Sequence, residues 1–201
     1  MGQANTFSFH SQEVLAVSDK IDYSFLSELE GGSKTKGYVP AAGVSKSGVT
    51  IGTGFDLGQR NETDLKILGL SSDLIATLKP YLGKQSKDAQ AALDKTPLTI
   101  TSAQAVDIDK AVKKSHVNLI KQNYNAVAEN KKLFTDLPAE AQTVIASVSF
   151  QYGANLGARA PKFWSPAKIQ DWKACIKVLN NFGDAYPTRR KKEAALLERI
   201  K

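Results

Sequence analysis

Four glycines fall within the twelve residues from Gly48 to Gln59, "GVTIGTGFDLGQ", a stretch that otherwise carries the β-branched and aromatic residues of a strand. Glycine weakens a strand, so this segment must turn, bulge or let another group approach its backbone closely. If it runs as one strand, Val49, Ile51, Thr53 and Phe55 share a packed face, and Thr50, Gly52, Gly54 and Asp56 share an open one. The open face then offers a hydroxyl, two positions without side chains and a carboxylate. Fully extended, Thr50 and Asp56 would stand roughly 20 Å apart. They can act on one water only if the chain bends at Gly52 and Gly54. The plain alternative is a glycine-rich turn with an uninvolved aspartate.

Around this segment the pattern is helical. "DYSFLSELEGG" has an apolar stripe of Phe25, Leu26 and Leu29, with Gly31 and Gly32 as a stop. Ser33 to Gly48, with "GYVP" as a strand candidate, reads as a hairpin or meander. Three short helical patterns follow Asn61. A long helix capped by Ser102 then shows an inner stripe of Ala105, Ile108, Val112, His116, Leu119, Asn123 and Val127. His116 on that stripe reads as a half-buried, satisfied histidine. The segment from Leu137 to Gly153 is the most apolar, hence central. Ser165-Pro166 opens a helix with Ile169, Trp172, Ile176 and Leu179 inward and Gly183 at its end, and "RRKKEAALLERI" forms the last. The expectation is an α+β fold, with an irregular lead-in over residues 1–20 and one domain over 21–201.

Composition narrows the function classes. At 42% hydrophobic and 23% charged, the 201 residues make a folded chain rather than a disordered one. The single cysteine, Cys175, permits no internal disulfide and reads as a small buried hydrophobe. His10 and His116 lack metal-pair spacing, so neither metal nor cofactor is expected. No apolar run has the length of a membrane span, and the first 20 residues lack the basic and apolar regions of a signal peptide. A net charge of +7 favours an anionic partner. The only tight basic run, Arg189 to Lys192, reads as a solvated face, and nucleic acid is not the expected partner. Trp164 and Trp172 read as core, and Tyr38 as either a substrate contact or a hairpin cover.

Glu30 gives the carboxylate of Asp56 a partner. It ends a helix, where the partial negative charge of the helix terminus disfavours ionisation, the condition a general acid needs. Glu28, two residues earlier, points elsewhere and reads as a surface charge. A protonated carboxyl, an ionised carboxylate and a hydroxyl to place water form the set that glycoside hydrolysis uses.

At these residues the chain resembles the phage-type lysozyme family, and most closely its pesticin-like muramidase domains. "LEGG" followed by "TIGTG" matches the family's Glu-Gly and Thr-Ile-Gly-x-Gly, with Glu30 in the acid position and Thr50 in the threonine position. Typical phage lysozymes place the aspartate in the hairpin before that threonine, but residues 33–49 here contain no Asp or Glu. Pesticin-like domains place it six residues after, where Asp56 stands. "SVSFQYGANLG" carries over a cleft-lining glutamine to Gln151. "YPTRRKKEAALL" resembles the closing Arg-Arg-x-x-Glu, with Arg189 as the arginine near the acid. The match covers about Tyr23 to Ile200.

The resemblance implies a lysozyme-like fold with a small antiparallel sheet in the N-terminal third, a mainly helical C-terminal lobe and a cleft between them. It implies a monomeric muramidase without cofactor, hydrolysing the β-1,4 bond between N-acetylmuramic acid and N-acetylglucosamine in peptidoglycan glycan strands. Glu30 would be acid, Asp56 base and Thr50 the positioner of water. The wall or periplasm would be reached by delivery or lysis, with an immunity protein or delivery machinery as further partners and no stable membrane insertion. The rival readings are a lytic transglycosylase, against which Asp56 argues, and a non-catalytic module binding cell wall or nucleic acid.

Overall fold

The computed structural model describes residues 18–30, 32–40, 46–129 and 132–201. Most of the expected lead-in lies outside the described residues.

The expected turn at the glycines is present. The strands β1 (Lys34–Tyr38), β2 (Thr50–Gly52) and β3 (Phe55–Asp56) form one antiparallel sheet in that order. Gly52 and Gly54 take φ values of 61° and 91°, in the region that favours glycine, and fold β3 back on β2. Thr50 therefore pairs with Asp56, and Ile51 with Phe55. A single alternating strand is the wrong description. The reversal buries Thr50, expected on the open face, and brings Thr53, expected on the packed face, round to a polar surface.

Three short helices, α2 (Glu62–Ile67), α3 (Ser72–Leu78) and α4 (Ser86–Lys95), belong to the sheet's lobe. Asn61 caps α2 in a reciprocal pair with Asp64, and the Ser71 hydroxyl accepts from Leu74 N–H at the start of α3. Val49, Ile51 and Phe55 of the sheet region join Leu65, Leu74 and Leu78 in one core.

The second core is helical. The helix α1 (Tyr23–Glu30) joins it through Leu26 and packs on α6 (Ala139–Tyr152). Every residue of α6 from 141 to 149 is buried, as its apolar sequence predicts. Gly153 ends it with φ 85°. Removing one of its large side chains, as in Ile145→Ala, should cost about 2–5 kcal/mol.

The helix α5 (Ser102–Asn125) serves both cores. Its cap is Thr101, one residue before the expected Ser102, in a capping box with Gln104. The expected stripe holds for Ala105, Ile108 and Val112 and then fails: Leu119 and Val127 are exposed, and Val117, Ile120 and Tyr124 are buried instead. The reason is geometric. The two buried sets face different cores and lie roughly 120° apart around the helix at 3.6 residues per turn.

Beyond α6 come α7 (Leu156–Arg159), α8 (Pro161–Lys168), α9 (Trp172–Asn180) and α10 (Pro187–Leu197). The one helix expected from Ser165 is two. Pro166 lies inside α8, the chain breaks at Gln170 with φ 63°, and Asp171 caps α9 through Ala174 N–H. Ile169, expected inward, is exposed at that break. Trp164 is buried edge-on to Tyr124, Trp172 packs against the core, and Cys175 is fully buried. Burial pushes the Cys175 thiol up to about 12, with Asp171 adding to the effect, so it is inert as a nucleophile at neutral pH. Among the described residues, no helix is long and apolar enough to cross a membrane.

Candidate active site

A cleft of about 330 Å³ opens where the two cores meet. Glu30 reaches it from the end of α1 and Asp56 from the end of β3, so the fold brings together two carboxylates that are 26 residues apart. The α5 face formed by Asp109, Val112, Lys113 and His116 lines it, with Phe150 of α6 at one side. These spacings of three and four place the α5 residues on one side of the helix.

Asp56 sits in a seat made of backbone. Its Oδ1 accepts from Gly48 N–H at 2.9 Å and from Gly58 N–H at 2.8 Å, the second bond capping a short 3-10 turn over Leu57–Gln59. No described residue donates to Oδ2. Two N–H donors on one oxygen fix the orientation of the carboxylate. Gln85 braces the seat by donating from Nε2 to Gly58 O at 3.1 Å.

Thr53, at the tip of the β2–β3 turn, is tied to α5. Asp109 accepts its N–H at 2.8 Å and its hydroxyl at 2.7 Å. A Cβ on Gly52 would lie 2.6 Å from Asp109 Oδ1, so Gly52 makes room for this carboxylate and is not open floor for a ligand. Gly54 is the glycine that borders the cleft with open space above it.

Glu30 has a neighbour that the sequence reading missed. Lys113 Nζ lies 3.0 Å from Glu30 Oε2 and donates to Ser27 Oγ at 3.1 Å. Glu28 is exposed, as expected. His116 is half-buried and stacked on Phe150 with ring centroids 4.6 Å apart, and its Nε2 lies 3.0 Å from Ser149 Oγ. Burial lowers its pKa, against the opposing pull of Ser149 and the Glu30 charge, so the ring is neutral near pH 7.

Three expected site residues stand back from the cleft wall. Thr50 is buried behind Asp56 and its hydroxyl donates to Gly48 O at 3.2 Å. Arg189 reaches α1 but not through the Glu30 side chain. It donates to Leu29 O at 3.3 Å, to the carbonyl and hydroxyl of Ser147 at 3.0 Å, and to Glu193 at 3.2 Å. Gln151 accepts from Arg190, which also pairs with Glu193 and Asp184. The basic run is thus no solvated face: Arg189 and Arg190 are buried in this network, and only Lys191 and Lys192 are exposed. Tyr38 lies against α4 in a different groove, with Lys34 Nζ 3.9 Å over its ring.

Lys113 and Asp109 carry a weak sequence signal, two opposite charges one helical turn apart. Nothing in their spacing points to Glu30 or Thr53, which are 83 and 56 residues away. Among the described residues, no group of three or more His, Cys, Asp or Glu side chains could hold a metal ion.

The family model for pesticin, described as the C-terminal part of a bacterial toxin homologue of phage lysozyme, matches residues 20–173. That span includes Glu30, Thr50, Asp56, Lys113 and Gln151, and stops before Arg189. No curated protein matches the chain.

Proposed function

The chain belongs to the pesticin family of bacterial toxin homologues of phage lysozyme, and we propose that within that family's muramidase chemistry it hydrolyses the β-1,4 bond between N-acetylmuramic acid and N-acetylglucosamine. The observation that carries this reading is the meeting of Glu30 and Asp56 in one cleft at the seam of the two cores. Its surplus of basic residues suits an anionic wall polymer.

Glu30 acts as general acid and gives its proton to the glycosidic oxygen as the bond to the anomeric carbon breaks. Asp56, held through Oδ1, presents Oδ2 to a water on the opposite face of the sugar. It takes one proton as the water oxygen bonds to that carbon. The Thr50 hydroxyl, across the sheet from Asp56, steadies the strand pair that aims the carboxylate. Arg189 fixes the backbone beside Glu30 by binding the carbonyl of Leu29, a cation at the end of a helix. Gln151 contributes indirectly through Arg190.

Purified peptidoglycan provides the test. Wild-type protein should release reducing ends with ordinary muramic acid termini, and Glu30→Gln should lose at least about 100-fold in rate while remaining folded. Glu28→Gln should behave as wild type. Anhydro-sugar termini would identify a transglycosylase instead. Binding without any release of reducing ends would leave only a wall-binding module.

A further inference from the structure

We propose that Lys113 is the positioning residue of Glu30: it holds the acid's side chain in place against the cleft. This rests on Glu30 being the general acid. Glu30 is the last residue of α1. The Lys113 ammonium braces its side chain at 3.0 Å and is itself fixed by Ser27 Oγ. Both side chains are sheltered, at 13% and 14% exposure, unlike a surface ion pair whose partners are free in solvent.

The other charged groups around Glu30 leave this task to Lys113. Arg189 on α10 is committed to Leu29 O, Ser147 and Glu193. His116 on α5 is held neutral by burial. Asp109 on α5 is bound to Thr53, and Asp56 on β3 to Gly48 and Gly58. Arg60 lines the far part of the cleft, where it lies 5.6 Å from the Phe55 ring. Lys110 and Lys114, on the same helix as Lys113, line a neighbouring groove of about 620 Å³ between α1 and α5. Lys113 lies on the wall shared by groove and cleft.

A general acid must meet the leaving oxygen in one geometry as the bond breaks, and the doubly tied Lys113 gives the Glu30 side chain that defined position.

Two readouts test the proposal on the whole protein: the split between kcat and KM on a peptidoglycan oligosaccharide, and NMR relaxation of the Glu30 side-chain methylenes. Lys113→Met keeps the aliphatic stem and should lower kcat several-fold with KM little changed, while the Glu30 side chain becomes more mobile. Lys113→Arg should return both towards wild type. A folded Lys113→Met protein with wild-type kcat and an equally ordered Glu30 side chain would overturn the proposal. If wild type releases no reducing ends, or Glu30→Gln keeps full rate, the muramidase reading fails instead. The NMR relaxation still decides whether Lys113 holds Glu30.

Discussion

Gly48 and Gly58 approach so closely that a Cβ on Gly48 would fall 2.3 Å from both Cα and N of Gly58. The same two residues donate the N–H groups that hold Asp56 Oδ1. Backbone contact and carboxylate seat are one construction, and a methyl group on either glycine must push it apart. Gly58→Ala should destabilise the protein by about 1–3 kcal/mol and cut the hydrolysis rate as severely as loss of Asp56 itself. Gly32→Ala, where an added Cβ meets nothing within 4 Å, is the matched control for stability. Thermal melts and initial rates on the same preparations check both parts. A fully active Gly58→Ala would show that Asp56 needs no such seat.

Asp56 and Thr50 should separate in magnitude. Asp56→Asn removes the proton acceptor and should cost about 10²–10⁴-fold in kcat. Thr50→Ala removes one hydroxyl behind it and should cost only about 3- to 10-fold. If Asp56 activates water directly, the reaction is a single displacement, and the first sugar released from a defined oligosaccharide is the α-anomer. Proton NMR before mutarotation reads the outcome. A β-anomer would make Asp56 a nucleophile.

His116 should make stability pH-dependent on the acid side. Its folded pKa is lowered, chiefly by burial, so below the unfolded value near 6.5 the unfolded chain binds more protons than the folded one. The stability it contributes is present above about pH 6.5 and is lost as pH falls through the folded pKa. His116→Gln retains a donor for Ser149 and should flatten this part of the stability profile. Urea midpoints between pH 7.5 and 4.5 would show it. Equal slopes in the two proteins would remove His116 from the account.

Glu193 anchors the buried charge network behind the cleft. It is fully buried, pairs with both Arg189 and Arg190, and accepts from Ser147. Glu193→Ala strands two guanidinium groups in the core and should cost about 3–5 kcal/mol. The loss should appear as a lower urea midpoint with little change in the slope m. A loss within 0.5 kcal/mol, the ordinary range of a surface change, would mean that the arginines find other partners.

The parts legible in the sequence are those whose cause is local. Gly52 and Gly54 permitted the bend that Thr50 and Asp56 would need to act together, and the bend pairs the two. The apolar run of α6 announced its burial, and Glu30 stood out because two glycines follow it. What could not be read depends on residues distant along the chain. Lys113 belongs to Glu30 only because the fold brings this part of α5 to the end of α1, and Asp109 acts only because the hairpin tip lands on it. The α5 stripe misled because periodicity assumes a single buried face, whereas this helix has two. Arg189 and Arg190 look like surface charge until Glu193, Asp184 and Ser147 are placed around them.

That second face of α5 makes the helix a gear between the lobes. Ala105 and Ile108 engage one core, Val117 and Ile120 the other, and the angle between the sets fixes how the lobes are turned about the helix axis. One residue inserted between Val112 and Val117 would advance one set by roughly 100° relative to the other. Both cores could then keep their own composition and packing preferences, yet the seam would no longer bring Glu30 opposite Asp56. Length in this stretch is therefore constrained independently of identity: whatever Lys113 and His116 do at the cleft, a residue cannot be added or removed between the two buried sets.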